Sequence, residues 1–127
     1  MNRWSADVIA PVPLSRERLR QRGYNQAGLL ADALAARVGV PVIPVALQRV
    51  RDTASQVTLG WAERQTNVAG AFRASPEHVK DRTVVVVDDV CTTGATLAAS
   101  AAALHDAGAL KVWAVTLARA RWDQTFT

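Results

Sequence analysis

The stretch Val84-Val85-Val86-Val87-Asp88-Asp89-Val90-Cys91-Thr92-Thr93-Gly94-Ala95-Thr96-Leu97 decides the fold. It opens on a run of β-branched apolar residues, too short for a membrane span and too strand-prone for a helix. Such a run suits a central parallel strand covered on both faces. Two adjacent carboxylates end it, and a loop of hydroxyl and small residues follows. The Ala-rich segment Ala95 to Ala107 comes next, a good helix former with an apolar face and Gly108 just past its end. The order is strand, acidic pair, small polar loop, helix. In an open α/β sheet, ligands lie at the carboxyl ends of the strands, where this loop would stand.

The residue types point to a chemistry. A helix N-terminus is mildly positive and carries backbone N–H groups without intrahelical partners, so it binds phosphate without a lysine. Thr92, Thr93 and Thr96 add hydroxyl donors, one of which can also cap the helix, while Gly94 and Ala95 leave room for close approach. Asp88 and Asp89 repel phosphate but accept hydrogen bonds from sugar hydroxyls. An anion cradle beside a diol acceptor suits a ribose 5-phosphate. The plainer alternative is a buried strand, a turn and a capped helix with no ligand. A receiver domain also carries paired Asp after a strand, but near its start and with further sequence to follow. P-loop and Rossmann dinucleotide patterns are absent.

The strand–DD–V–x–TTGAT–helix pattern resembles the signature of the type I phosphoribosyltransferases, which bind 5-phosphoribosyl 1-pyrophosphate (PRPP). The resemblance implies that Asp88 and Asp89 hold the ribose hydroxyls and that Thr92, Thr93, Gly94, Ala95 and Thr96 hold the 5-phosphate. It extends over nearly the whole chain. Pro11-Val12-Pro13-Leu14, Arg22-Gly23-Tyr24-Asn25-Gln26, Arg49-x-Arg51-x-Thr53-x-x-Gln56, Arg64-x-x-Asn67-Val68-x-Gly70-Ala71-Phe72 and Leu117-Ala118-Arg119 look like the ComF/GntX-type phosphoribosyltransferase-like proteins. Many members carry an amino-terminal zinc ribbon with four cysteines; this sequence has only Cys91.

The resemblance implies a PRPP-dependent transferase that uses Mg²⁺ delivered with PRPP and holds no metal directly. Its acceptor is unidentified. The rival implication is a non-catalytic PRPP- or nucleotide-binding accessory linked to DNA uptake, with a protein partner. Direct nucleic-acid binding through a basic face is a third reading, without a recognised module. A homodimer is compatible with each.

The 127 residues amount to one domain, 1–127, half of it hydrophobic. The lone cysteine excludes a disulfide framework and a thiolate zinc cluster. No apolar run reaches the length of a membrane span, and Met1-Asn2-Arg3-Trp4 leads almost directly into a strand without a secretory signal. These features fit a cytoplasmic protein. The net charge of +4 is carried almost entirely by arginine and suits a polyphosphate substrate as well as a nucleic acid.

In chain order, Val8–Pro13 reads as a first strand, with its prolines at the end. Leu14–Tyr24 reads as a loop or frayed turn with Arg16, Arg18, Arg20 and Arg22 at every second position. Asn25 opens a helix to about Val38 with Leu29, Leu30, Leu34 and Val38 on one face and Gly39 as its stop. Pro41–Leu47 reads as a second strand. Gln48–Asn67 is long, polar and aperiodic, with a short helix at Leu59–Thr66; by family analogy it is a flap over the site. Val68–Ala74 returns as a short strand, Ser75-Pro76-Glu77 opens a helical turn, and Val112–Leu117 is the last strand. The architecture expected is α/β, a mostly parallel sheet flanked by helices.

Arginine pairs bidentately with phosphate oxygens. Arg16 and Arg22 are therefore candidates for pyrophosphate, against the alternative of a solvated basic turn. Arg49, Arg51, Gln56 and Arg64 are flap candidates, against that of a surface loop with scattered charge. Tyr24 and Phe72 read as core packing, and His78 and His105 as surface or boundary residues.

Overall fold

The first strand, β1 (Val8–Pro11), pairs in parallel with β4 (Thr83–Cys91), and β4 pairs in parallel with β5 (Lys111–Arg119), so the sheet runs in the order β1-β4-β5. The computed structural model describes residues 5–50, 70–91 and 94–119. Between β1 and β4 lie α1 (Arg16–Arg22), α2 (Gln26–Val38), a 3-10 turn (Pro44–Ala46), β2 (Leu47–Arg49), β3 (Phe72–Ala74) and α3 (Pro76–Val79); α4 (Ala95–Asp106) joins β4 to β5. β2 and β3 form a separate antiparallel pair. The expectation of a mostly parallel, helix-flanked sheet holds.

The valine run is buried on both faces. Val84 and Val86 pack on one side with Leu104 of α4 and with Phe72 and Ala74 of β3; Val85 and Val87 pack on the other with Ile9 and Ala31 of α2. This is the alternation a strand imposes. Each fully buried Val or Ile contributes roughly 1.5–3 kcal/mol by removal from water, which makes β4 the axis of the core.

Four expectations are corrected. Leu14–Tyr24 is not a loop throughout, because residues 16–22 form α1. The Ser15 hydroxyl accepts from the Arg18 N–H, Gly23 closes the helix at φ 79°, and Glu17 in the first turn with Arg20 and Arg22 in the last complements the helix dipole. Pro41–Leu47 is not one strand. Val42 makes a single parallel bridge to Ile9 before Pro44, which cannot donate to a ladder, starts the 3-10 turn; Leu47–Arg49 then turn away to pair with β3. On α2, Leu29 is 58% exposed, while the small Ala27 and Ala31 face the sheet with Leu30, Leu34 and Val38 beside them. Tyr24, read as core, is 49% exposed; Phe72, read the same way, is buried.

Asn25 caps α2 as expected, its Oδ1 accepting from Ala27 N–H, and Gly39 ends it. α3 opens at Ser75-Pro76, and His78 and His105 are at the boundary and the surface. The expected helix at Leu59–Thr66 and the tail Arg121–Thr127 lie outside the described residues.

One polar atom in the core has no visible role. Ser100 on α4 is fully buried and its hydroxyl has no hydrogen-bond partner. A buried unsatisfied hydroxyl costs on the order of 1–3 kcal/mol. Ser100→Ala is expected to stabilise the domain by about 1 kcal/mol, seen as a higher urea midpoint at unchanged slope.

Candidate active site

β1 and β4 are neighbours whose connections leave in opposite directions. The chain from β1 passes through α2 to the Val42 bridge on β1's outer side, while β4 passes through α4 to β5 on its own outer side. The crevice outside the carboxyl ends of β1 and β4 is thus a topological switch point, where open α/β sheets bind ligands. β1 ends at Pro11, opposite Val87, and its last link to β4 is the bond from Val12 N–H to Val87 C=O at 2.8 Å. β4 runs on alone beside β5, so Asp88 and Asp89 stand on the rim of this crevice, both half-buried.

The pleat sends the two carboxylates to opposite sides, and each meets a different arginine. Asp89 shares its side with Val85 and Val87, the side of α2, and Arg22 at the end of α1 reaches it with Nη1 3.6 Å from Oδ2. Asp88 shares its side with Val84 and Val86, the side of β3, and feels the charge of Arg49 at the end of β2. Burial is the main force on the Asp88 carboxyl. Together with the neighbouring Asp89 it raises the pKa from 3.8 to about 7, against the opposing pull of the Asp89 N–H, which donates to Asp88 Oδ1 at 2.9 Å, and of Arg49. Of the pair, Asp88 is the one that titrates near neutrality.

The start of α4 supplies the opposite polarity. Gly94 is its N-cap at φ 83°, left-handed backbone that suits glycine, and a Cβ placed there would meet nothing within 4 Å. Among the described residues, nothing fills the position a Cβ would take at this positive end of a twelve-residue helix, beside Ala95, which is buried, and Thr96, which is half-buried. The N-cap residue is Gly94; of the threonines read as able to cap this helix, Thr92 and Thr93 lie outside the described residues.

Of the candidate residues, the structure brings Asp88, Asp89, Gly94, Ala95, Thr96, Arg22 and Arg49 to this end of the sheet. Arg16 begins α1, with only its backbone described, and Thr92, Thr93, Arg51, Gln56 and Arg64 lie outside the described residues, as does most of the Gln48–Asn67 flap. Two contributors had no sequence signal beyond local ones. Asn25, legible as a helix cap, also donates through Nδ2 to Val12 C=O at 3.1 Å, holding the turn after β1. Phe72 lies under the Arg49 guanidinium, 4.7 Å from ring centroid to Cζ.

The same chain trace occurs in solved enzymes. It matches the allosteric regulatory enzyme of purine biosynthesis with a TM-score of 0.59 and 26% identity, over 88% of this chain and 22% of that one. It matches glutamine phosphoribosylpyrophosphate amidotransferase from B. subtilis with a TM-score of 0.57 and 26% identity, over the same shares. The fold is that of the type I phosphoribosyltransferases. Residues 24–125 match the phosphoribosyl transferase domain family. Competence protein F of Haemophilus influenzae is 37% identical over 116 residues, 90% of this chain and 51% of that protein. DNA utilization protein YhgH of Escherichia coli is 39% identical over 109 residues, 84% and 48%. Competence protein ComFC of Bacillus subtilis is 34% identical over 113 residues, 88% and 44%. The chain belongs to the ComF-type family of phosphoribosyltransferase-domain proteins. It spans about half the length of these curated relatives. No helix among the described residues is long and apolar enough to cross a membrane.

Proposed function

We propose that this domain binds PRPP with Mg²⁺ and transfers the 5-phosphoribosyl group to a nitrogen nucleophile, releasing pyrophosphate. The observation that carries the reading is the switch-point crevice itself: a pair of carboxylates on one strand end and, a few residues on, a glycine-capped helix start whose Cβ position no described residue fills. The 5-phosphate would sit over Gly94 and the ribose hydroxyls would donate to Asp88 and Asp89. In the reaction the bond from C1 to the pyrophosphate oxygen breaks, pyrophosphate leaves with the electron pair, and C1 bonds to the acceptor nitrogen, which gives up its proton. Mg²⁺ enters as part of the substrate, chelated by the pyrophosphate. The two carboxylates fix the ribose and lie near the positive charge developing at C1, so positioning and electrostatics supply the catalysis without a protein nucleophile.

A second reading draws support from the names of the relatives, competence and DNA utilization proteins: a PRPP- or nucleotide-binding accessory of DNA uptake without turnover. One assay separates the two. The protein is incubated with PRPP, Mg²⁺ and a panel of free bases, and pyrophosphate and nucleotide are measured, with calorimetry of PRPP binding alongside. Nucleotide formation is the expected result and removes the accessory-only reading. Binding without product across the panel favours the accessory. No PRPP binding at all overturns the transferase and leaves, of the accessory reading, only its nucleotide-binding form.

A further inference from the structure

The side chain of Arg49 is committed inside the protein. Arg49 and Phe72 are directly opposed in the β2–β3 pair, and the guanidinium lies on the Phe72 ring at 4.7 Å, at the distance of a cation–π contact. Its Nε donates to Pro13 C=O at 3.2 Å, a contact 36 residues away in sequence. The neighbouring carbonyl, Val12 C=O, is held by Asn25 Nδ2, so side chains from two elements grip successive carbonyls of the turn after β1. Just beyond Arg49, Val50 N–H donates to Ala71 C=O at 2.7 Å, the last described rung before residues 51–69. The β2–β3 hairpin is thereby pinned at its root to the end of β1, with a cation as the pin and Asp88 within reach of its charge.

We propose that Arg49 is a positioning residue that couples the β2–β3 hairpin to the acidic pair: its planar face and Nε hold the hairpin root against Pro13, one residue beyond the Val12–Val87 rung that immediately precedes Asp88. Arg49, a flap candidate in the sequence, thus has a role within the fold through its Nε and one face, which serve Pro13 and Phe72. The consequence for catalysis rests on the PRPP reading; the coupling itself does not. An ionised Asp88 is a stronger acceptor for a ribose hydroxyl than a protonated one. Among the described groups, those bearing on that carboxylate are Asp89 on β4, itself paired with Arg22 of α1, and Arg49 of β2. Arg49 is the cation that opposes burial there. The hairpin that carries it is the root of residues 51–69, so a change at that root is felt at the ribose acceptor.

The test uses ligand-free protein first. Side-chain carboxyl NMR follows the ionisation of Asp88, and amide exchange follows Val50, in wild type, Arg49→Met, Arg49→Lys and Phe72→Leu. Arg49→Met is expected to move the Asp88 midpoint upward, because an opposing cation is lost. Arg49→Lys keeps the charge and is expected to restore most of that shift, yet to speed Val50 exchange several-fold because it lacks the planar fork. Phe72→Leu is expected to loosen the root while leaving the midpoint near wild type. An unmoved Asp88 midpoint in folded Arg49→Met, or Val50 exchange equal to wild type in both Arg49 variants, overturns the proposal. PRPP calorimetry on the same proteins keeps the two ideas apart. Wild type that fails to bind PRPP while the Asp88 midpoint moves as expected leaves the coupling standing and removes the functional reading. Wild type that binds PRPP while Arg49→Met titrates like wild type does the reverse.

Discussion

Valine in place of Gly94 is expected to abolish PRPP binding, with at least a hundredfold loss of affinity by calorimetry. Two effects act together. The ideal Cβ at Gly94 projects into space that the described residues leave open, the space assigned to the 5-phosphate. The backbone there is left-handed at φ 83°, where a β-branched residue is strained by about 1–3 kcal/mol, so the helix start itself will shift. Loss of binding alone would not distinguish a blocked phosphate site from a strained fold. Gly39 supplies the control: its φ is 73°, a Cβ there also meets nothing, and it ends α2 at the opposite end of the sheet from the crevice. Gly39→Val is expected to lower thermal stability by a similar amount and to leave PRPP affinity intact. Gly94→Asn tolerates the left-handed backbone better and tests the steric part, with an expected affinity between valine and wild type. Wild-type affinity in folded Gly94→Val would mean that no phosphate sits at the start of α4.

Much of this site was legible because its parts are local. The valine run announces a strand buried on both faces, Asp88 and Asp89 follow in the next two positions, and Gly94 opens the helix a few residues later. Asn25 by its side chain, Gly39 by its left-handed backbone and Pro76 by its fixed φ mark their helix ends within one turn. What the sequence left unread depends on contacts between distant segments. Arg22 meets Asp89 and Arg49 meets Pro13 only after the sheet has assembled. The pairing of Leu47–Arg49 with Phe72–Ala74 crosses residues 51–69, and nothing in either short segment announces its partner. Alternating arginines concealed α1, whose only local signals are its Ser15 and Gly23 caps and the charges at its ends. Leu29 was misplaced for the opposite reason. Periodicity alone favours any leucine for the buried face, whereas the close packing of α2 on the sheet selects the small Ala27 and Ala31.

Asp88→Asn is expected to produce opposite changes in catalysis and stability. Turnover should fall about a hundredfold or more, the size of effect seen when one preorganised electrostatic partner is removed from a transition state. Stability should rise, and only above acid pH. In the fold the Asp88 carboxyl titrates near 7, against 3.8 when free. Below pH 3.8 the group is protonated in both states and costs nothing. Between 3.8 and 7 the unfolded chain gives up its proton while the folded chain retains it, so folding weakens by up to about 1.4 kcal/mol per pH unit. Above 7 both states are ionised and the accumulated cost, a few kcal/mol, stays constant. Asparagine does not titrate, so the variant should match wild type near pH 4 and exceed it at pH 8 in urea unfolding. A difference that is the same at both pH values would show that Asp88 does not titrate in this window. Asp89→Asn is the contrasting case: its partner Arg22 is 41% exposed and the pair stands at 3.6 Å, so loss of that pair should change stability by less than about 1 kcal/mol, and any pH-dependent gain should come through Asp88, whose carboxyl Asp89 pushes upward. Wild-type turnover should in turn climb as pH rises through 7, because the ionised Asp88 accepts more strongly from a ribose hydroxyl and opposes the positive charge developing at C1. The pH at which the fold bears its full electrostatic cost is then the pH at which the site is ready to work, and a half-buried carboxylate is kept at the switch point for its chemistry at the expense of stability.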